Sequence, residues 1–164
     1  EFRARNEAGH HRDFLTVGGM GHASQIALGL AMAQPERPIY CFDGDGAALM
    51  HMGSMAITGQ SNAKNLIHLV FNNGVHDSVG GQPTVGFNID MPQIATACGY
   101  ATARRVITKK ELQNAMAAAR ATDGVTFIEV QVRPGNRADI ARPTSTPAQN
   151  KIAMMKFLGV GQNA

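Results

Sequence analysis

Short apolar runs alternate along the chain with longer stretches of helical spacing. Ile39-Tyr40-Cys41-Phe42 leads to Gly44-Asp45-Gly46, and Leu66-Ile67-His68-Leu69-Val70-Phe71 leads to Asn72-Asn73-Gly74. Apolar runs this short, bounded by turn residues, predict buried parallel strands. Phe14-Leu15-Thr16-Val17 predicts an earlier strand and 100–106 a later one. The string Thr-Phe-Ile-Glu-Val-Gln-Val at 126–132 has the best strand composition of all. Between these runs, a helix is expected from about 22 to 34, where Ile26, Leu30 and Ala33 share a face. Pro35 and Pro38 end it. A second helix is expected over 47–60. Asp90 caps a third, which runs through 97 and ends at Gly99. Thr108 and Glu111 form a capping box for a fourth, running to about 122. A last helix is expected over 149–158.

This order predicts an α/β protein: a doubly wound, mainly parallel sheet with helices on both faces. In such sheets ligands bind beyond the carboxyl ends of the strands. The segment 74–88 has no period and holds Gly74, Gly80, Gly81, Pro83 and Gly86. A long glycine-rich loop beside those ends reads as functional. The stretch 133–147 is expected to run over the surface.

Composition narrows the function classes. The 164 residues suit one domain, and 44% hydrophobic with 16% charged excludes disorder. With no Trp and 5% aromatic residues, the core must be aliphatic, Ala and Met. The net charge of +3 is mild and its Arg and Lys are scattered, so no nucleic-acid partner is expected. Cys41 and Cys98 make neither a CxxC nor a disulfide framework, which fits a reducing, cytoplasmic setting. No run is long enough to span a membrane, and no membrane partner is expected.

The candidate chemistry sits at the strand ends. Asp45 and Asn73 place a carboxylate and a carboxamide where both can reach one hard cation. Mg²⁺ takes one or two such oxygens and completes its shell from a phosphorylated ligand. Gly44 and Gly46 let backbone approach that ligand, and the helix after Gly46 offers free N–H groups to an anion. A competing pattern is present. Gly19-Met20-Gly21-His22-Ala23-Ser24 approximates the dinucleotide fingerprint GxGxxG, with Asp43 near the distance expected of the ribose-binding acid. That reading, a nucleotide-binding domain of an oxidoreductase, has Ser24 for the third glycine and gives Asp45 and Asn73 no joint role.

The GDG–25 residues–NN pattern resembles the signature of thiamine-diphosphate-dependent enzymes, and Gly18-Gly19-Met20-Gly21 resembles the stretch that holds the aminopyrimidine ring in that family. The longer string DFLTVGGMGHAS, FDGDGAALMHMGS and NNGVHDSVGGQPT is similar to the phosphonopyruvate decarboxylases, and less closely to the sulfopyruvate decarboxylase β subunits. The likeness covers nearly the whole chain but only the carboxyl-terminal half of the decarboxylases. It implies a 2-oxo acid decarboxylase using thiamine diphosphate and Mg²⁺. It also implies that Asp45, Asn73 and the Val75 carbonyl bind the metal, and that Gly44, Gly46 and Ala47 serve the diphosphate. Gly18, Gly19 and Met20 would serve the pyrimidine, with Met20 as the wedge under the cofactor and His22 close by.

Two further residues follow the metal turn. His76 is a candidate catalytic group facing the reacting centre or the substrate's phosphonate, since imidazole titrates near neutral pH. Asp77 is a second candidate, and Ser78 and Gln82 offer further hydrogen bonds. His51 and His68 read as structural, His10-His11 has no visible partner ligand, and Arg133, Arg137 and Arg142 form a weak candidate anion patch. The family's activating Glu comes from a pyrimidine-binding domain, and no acidic residue of this chain matches its context. The expected partners are therefore a 2-oxo acid and a pyrimidine-binding domain or subunit, in a homo- or hetero-oligomer.

Overall fold

A computed structural model describes residues 12–136, 138 and 143–160. The chain divides into two compact units, one of Met20–Gly135 and one drawn from Glu1–Gly19 and Asn136–Ala164.

The larger unit is built on four parallel strands: β1 Ile39–Gly44, β2 Leu66–Asn72, β3 Thr102–Val106 and β4 Thr126–Gln131. Their spatial order is β1-β2-β4-β3. The central strands β2 and β4 are buried almost throughout, while the edges β1 and β3 are partly exposed. Burial on both faces is why 66–71 reads as a nearly continuous apolar run. The register sets Asp43 beside Val70, Val70 beside Glu129, and Glu129 beside Arg105. Because side chains alternate along a strand, Asp43, His68, Asn72, Glu129 and Arg105 share one face.

Five helices accompany the sheet: α1 Ala23–Ala33, α2 Asp45–Met50, α3 Gly53–Gly59, α4 Met91–Cys98 and α5 Lys109–Arg120. Leu28 and Ala31 of α1, Met55 of α3, and Met91 and Ala95 of α4 pack with Val70 and Phe127 on one face. Ala115 and Ala119 of α5 pack with Ile67, Leu69 and Ile128 on the other. The division follows from handedness. The chain moves one way across the sheet from β1 through β2 to β3, then back to β4. Right-handed crossovers therefore place α2, α3 and α4 on one face and α5 on the other. The doubly wound sheet is as expected, and so are two caps. Asp90 accepts from Gln93 N at 3.2 Å and Gly99 closes α4 at φ 99°. Thr108 and Glu111 form the capping box of α5.

Four expectations are corrected. Residues 14–17 form no strand. In their own unit, Asn150 Nδ2 donates to the Leu15 carbonyl at 3.1 Å, so a side chain takes a group that a neighbouring strand would have taken. Asn150 belongs to α6, Pro147–Leu158, which begins two residues earlier than expected because Thr146 and Gln149 form a second capping box ahead of Pro147. The single helix expected over 47–60 is two helices. It starts at Asp45, stops at Met50 with His51 at φ −132° and ψ 44°, and restarts at Gly53. Gly53 and Ser54 favour helix weakly, and the His51 ring turns aside to lie 4.2 Å, centroid to centroid, from His22. The loop 74–88 is also less irregular than expected. It contains a 3₁₀ turn over Asp77–Val79 and an antiparallel bridge between Val75 and Pro83.

Candidate functional site

Asp45 opens α2 directly after β1 and is 2% exposed. Its Oδ2 accepts a hydrogen bond from the Thr84 hydroxyl. The loop returns over it at Gly86, where a Cβ would lie 2.8 Å from Asp45 Oδ2 and 2.6 Å from Asn72 Oδ1. Oxygens from the ends of β1 and β2 therefore converge on one point, and glycine alone leaves room for the chain to pass it.

Asn72, the last residue of β2, is fully buried and hydrogen-bonded through both ends of its carboxamide. Its Nδ2 donates to the Gly86 carbonyl at 2.8 Å and to Glu129 Oε1 at 2.7 Å, and its Oδ1 accepts from Gly74 N at 3.1 Å. Glu129 is itself 0% exposed and takes Arg105 Nε on its other oxygen at 2.7 Å. Arg105 reaches Asp90 at 3.7 Å. A buried carboxylate needs such partners, because an unpaired charge there is prohibitively costly. Asn73, just beyond the strand, accepts on Oδ1 from Val75 N at 3.1 Å. It donates from Nδ2 to Asp77 Oδ2 at 2.8 Å. The same Asp77 oxygen accepts from Gly135 N at 2.8 Å.

The glycine turn and the imidazoles complete the picture. Gly21 has φ +84°, and a Cβ there would lie 3.0 Å from the Ala47 carbonyl oxygen and run into the His51 ring. The turn after Met20 thus packs directly on the first turn of α2. His22 Nδ1 lies 3.3 Å from the Met20 carbonyl. A cleft of about 360 Å³ opens here, lined by Gly21, His22, Gln25, Met50 and His51 among others. A Cβ on Gly46 would overlap the His76 ring, so this imidazole lies over the start of α2.

The structure therefore brings Asp45 to the Asn72 turn, Gly46 to His76, Ala47 to Gly21, and Asn73 to both Val75 and Asp77. Gly44 caps α2 in extended conformation. Gly18, at φ +77°, and Gly19 belong to the other unit. Ser78 and Gln82 are exposed, and Gln82 contributes its carbonyl, which accepts from His76 N at 2.8 Å. Arg133 is exposed, whereas Arg137, Arg142, His10 and His11 lie outside the described residues.

Asp43 settles the competing pattern. It is 8% exposed and points into the core, where Oδ1 accepts from Gly44 N at 3.2 Å and Oδ2 lies 3.6 Å from His68 Nε2. A ribose-binding acid must face a ligand at the strand end, and this one faces a buried histidine. His68 also meets the Tyr100 hydroxyl at 3.2 Å through Nδ1, which makes it structural, as expected. Cys41 joins this cluster, with ligand atoms of Cys41, Asp43 and His68 within 4.8 Å of one another. Burial, and then the nearby Asp43 carboxylate, push the Cys41 thiol up to about 12, so it stays protonated and inert. Burial also raises the Tyr100 phenol above its ordinary value.

Thr84, Gly86, Glu129 and Arg105 were not among the expected site residues. One signal for Glu129 was available. A carboxylate in a strand expected to be buried on both faces must have a buried partner. Thr84 and Gly86 carry no comparable local mark.

Residues 2–130 match the family model described as "Thiamine pyrophosphate enzyme, C-terminal TPP binding domain". The chain is 45% identical over 136 residues to the phosphonopyruvate decarboxylase of Streptomyces viridochromogenes, covering 83% of this chain and 34% of that protein. It is 34% identical over 125 residues to the sulfopyruvate decarboxylase subunit beta of Methanococcus maripaludis, covering 76% of this chain and 66% of that subunit. Among solved structures, benzoylformate decarboxylase from Polynucleobacter necessarius superimposes with a TM-score of 0.64 at 24% identity, over 73% of this chain and 25% of that one, a likeness of fold. The chain thus spans about a third of the length of its phosphonopyruvate decarboxylase relatives. With this match over most of its length, and with its strand-end motifs converging as they do, the chain belongs to the family of carboxyl-terminal thiamine-pyrophosphate-binding domains of thiamine pyrophosphate enzymes.

Proposed function

We propose that this chain is the diphosphate- and metal-holding part of a thiamine-diphosphate-dependent 2-oxo acid decarboxylase. Its preferred substrate is phosphonopyruvate, converted to phosphonoacetaldehyde and CO₂. One observation carries the reading: Asp45 is buried directly after β1, and Asn73 follows the end of the adjacent strand β2, with its Oδ1 beside Val75 N at 3.1 Å. The donor set fits the metal, since a carboxylate, a carboxamide oxygen and a main-chain carbonyl are the hard ligands that Mg²⁺ takes. The choice of substrate is supported by the 45% identity to phosphonopyruvate decarboxylase.

In this reading Asp45, Asn73 Oδ1 and the Val75 carbonyl hold Mg²⁺. The N–H groups of Gly46 and Ala47 meet the diphosphate, although α2 has only six residues and its dipole adds little. Met20 and His22 serve the organic end of the cofactor. Bound there, thiamine diphosphate supplies an electron sink for the decarboxylation. The chain's own residues orient it, clamp its charge and exclude water. His76, lying against Gly46, faces the substrate and moves a proton or binds its phosphonate. The activating Glu comes from a pyrimidine-binding domain or subunit, in an oligomer that we place in the cytoplasm. A second reading, sulfopyruvate decarboxylation, is favoured by the 34% identity to the sulfopyruvate decarboxylase β subunit, which this chain matches along 66% of its length.

Carbon dioxide release from each acid, measured with a pyrimidine-binding partner present, chooses between the two. The expected result is faster release from phosphonopyruvate, and a preference for sulfopyruvate would move the assignment. His76→Ala should lower kcat/KM by about 100-fold, on the usual worth of acid–base catalysis. Unchanged kcat and KM would remove His76 from the reaction.

A further inference from the structure

We infer that Asp77 is a positioning residue that fixes which end of the Asn73 carboxamide faces the cation. The inference rests on the reading of Asn73 as a metal ligand.

A carboxamide has a donor end and an acceptor end of nearly the same shape. Only the oxygen can bind a cation, so a ligating Asn must be held against a half-turn about its last bond. Two groups hold Asn73. Asp77 Oδ2, an acceptor, sits 2.8 Å from Nδ2, and Val75 N, a donor, sits 3.1 Å from Oδ1. A half-turn would set oxygen against the Asp77 carboxylate and NH₂ against the Val75 N–H. Both contacts would then become repulsive at once. The chain therefore keys the amide from both ends, and one lone pair of Oδ1 remains for a ligand.

Asp77 is held in turn. It opens the 3₁₀ turn over Asp77–Val79, and Gly135 N donates to the same carboxylate oxygen at 2.8 Å. That bond ties it to the segment after β4, 58 residues away in sequence. Negative charge on the partner of an N–H also pushes electron density toward the amide oxygen and improves it as a ligand. This is the role that hydrogen-bonded carboxylates play behind metal ligands in general.

The test compares Asp77→Ala and Asp77→Asn with the wild type in the assembled protein, with its pyrimidine-binding partner and thiamine diphosphate. Mn²⁺ stands in for Mg²⁺ and its binding is followed by electron paramagnetic resonance, which needs no turnover. Asp77→Ala should weaken Mn²⁺ binding by at least about tenfold, the usual effect of removing a group behind a ligand. Asp77→Asn keeps an acceptor for Asn73 Nδ2 and should recover most of that affinity. Thermal midpoints of both variants show whether each is folded. Unchanged Mn²⁺ affinity in Asp77→Ala, with or without a fall in kcat, would overturn the inference. So would an equal loss in a folded Asp77→Asn, since charge rather than keying would then be at work. A wild type that takes no Mn²⁺ with the cofactor would overturn the reading of the site itself, a result distinct from either.

Discussion

Asp45 and Asn73 stand beyond the ends of neighbouring strands, and the protein secures them differently. Asp45 is the first residue of a helix, and one side-chain donor, the Thr84 hydroxyl, meets its carboxylate. Asn73 is keyed at both ends by Asp77 and Val75, and the residue before it anchors a buried chain of Asn72, Glu129 and Arg105 that reaches Asp90. On the proposed reading of both residues as metal ligands, the difference follows from their chemistry. Either oxygen of a carboxylate can accept, so Asp45 needs only a place. A carboxamide has one oxygen, so Asn73 needs a place and an orientation.

The contrast can be broken from the Asn side first. Glu129→Ala removes the partner of both Asn72 and Arg105 at a fully buried position. It should cost about 3 kcal/mol of stability in a urea titration, and it should weaken metal binding because the Asn72 turn loses its anchor. Destabilisation with metal affinity intact would show that the buried chain serves the fold alone. On the Asp side, Thr84→Val should cost about 2 kcal/mol, since the charge-assisted bond to the Asp45 carboxylate and the bond from Gly86 N at 3.0 Å are both lost. If Thr84→Val unfolds the protein as readily as Glu129→Ala, the two turns are not held differently. The smallest effect belongs to a region away from both. Thr108→Ala breaks the capping box of α5 and should cost about 1 kcal/mol with no change in cofactor binding. The same box sets a pH dependence. N–H bonds from Ile107 and then Thr108 hold the Glu111 carboxylate below its usual range. Its contribution is therefore present above the unfolded-state pKa and is lost as pH falls through the folded one. Glu111→Gln should flatten that acid-side decline in a series of thermal midpoints.

The ease of reading the sequence tracks the distance between partners. Gly44-Asp45-Gly46 and Asn72-Asn73 announce themselves because each is a local break after an apolar run. The boxes at Thr108 and the cap at Asp90 need only three residues of context. The strand expected at 14–17 fails because its Leu15 carbonyl is taken by a side chain 135 residues away. The long helix over 47–60 fails because the His51 ring packs on Gly21, a contact that no local pattern marks. Thr84 is 39 residues from Asp45, and Glu129 is 57 from Asn72. Glu129 also looks like an ordinary polar residue of an alternating strand until β4 is seen to be central and buried. The motif marks the proposed ligands locally, while Thr84 and Glu129 come beside that region only in the fold.

The central claim is that these strand-end oxygens hold a metal for the cofactor's diphosphate. Calorimetric titration of thiamine diphosphate, with a pyrimidine-binding partner present, tests it most directly. The wild type and Asp45→Ala are each measured with and without Mg²⁺. Binding should require the metal in the wild type and disappear in Asp45→Ala. Equal binding without Mg²⁺, or binding undiminished in Asp45→Ala, would contradict the account.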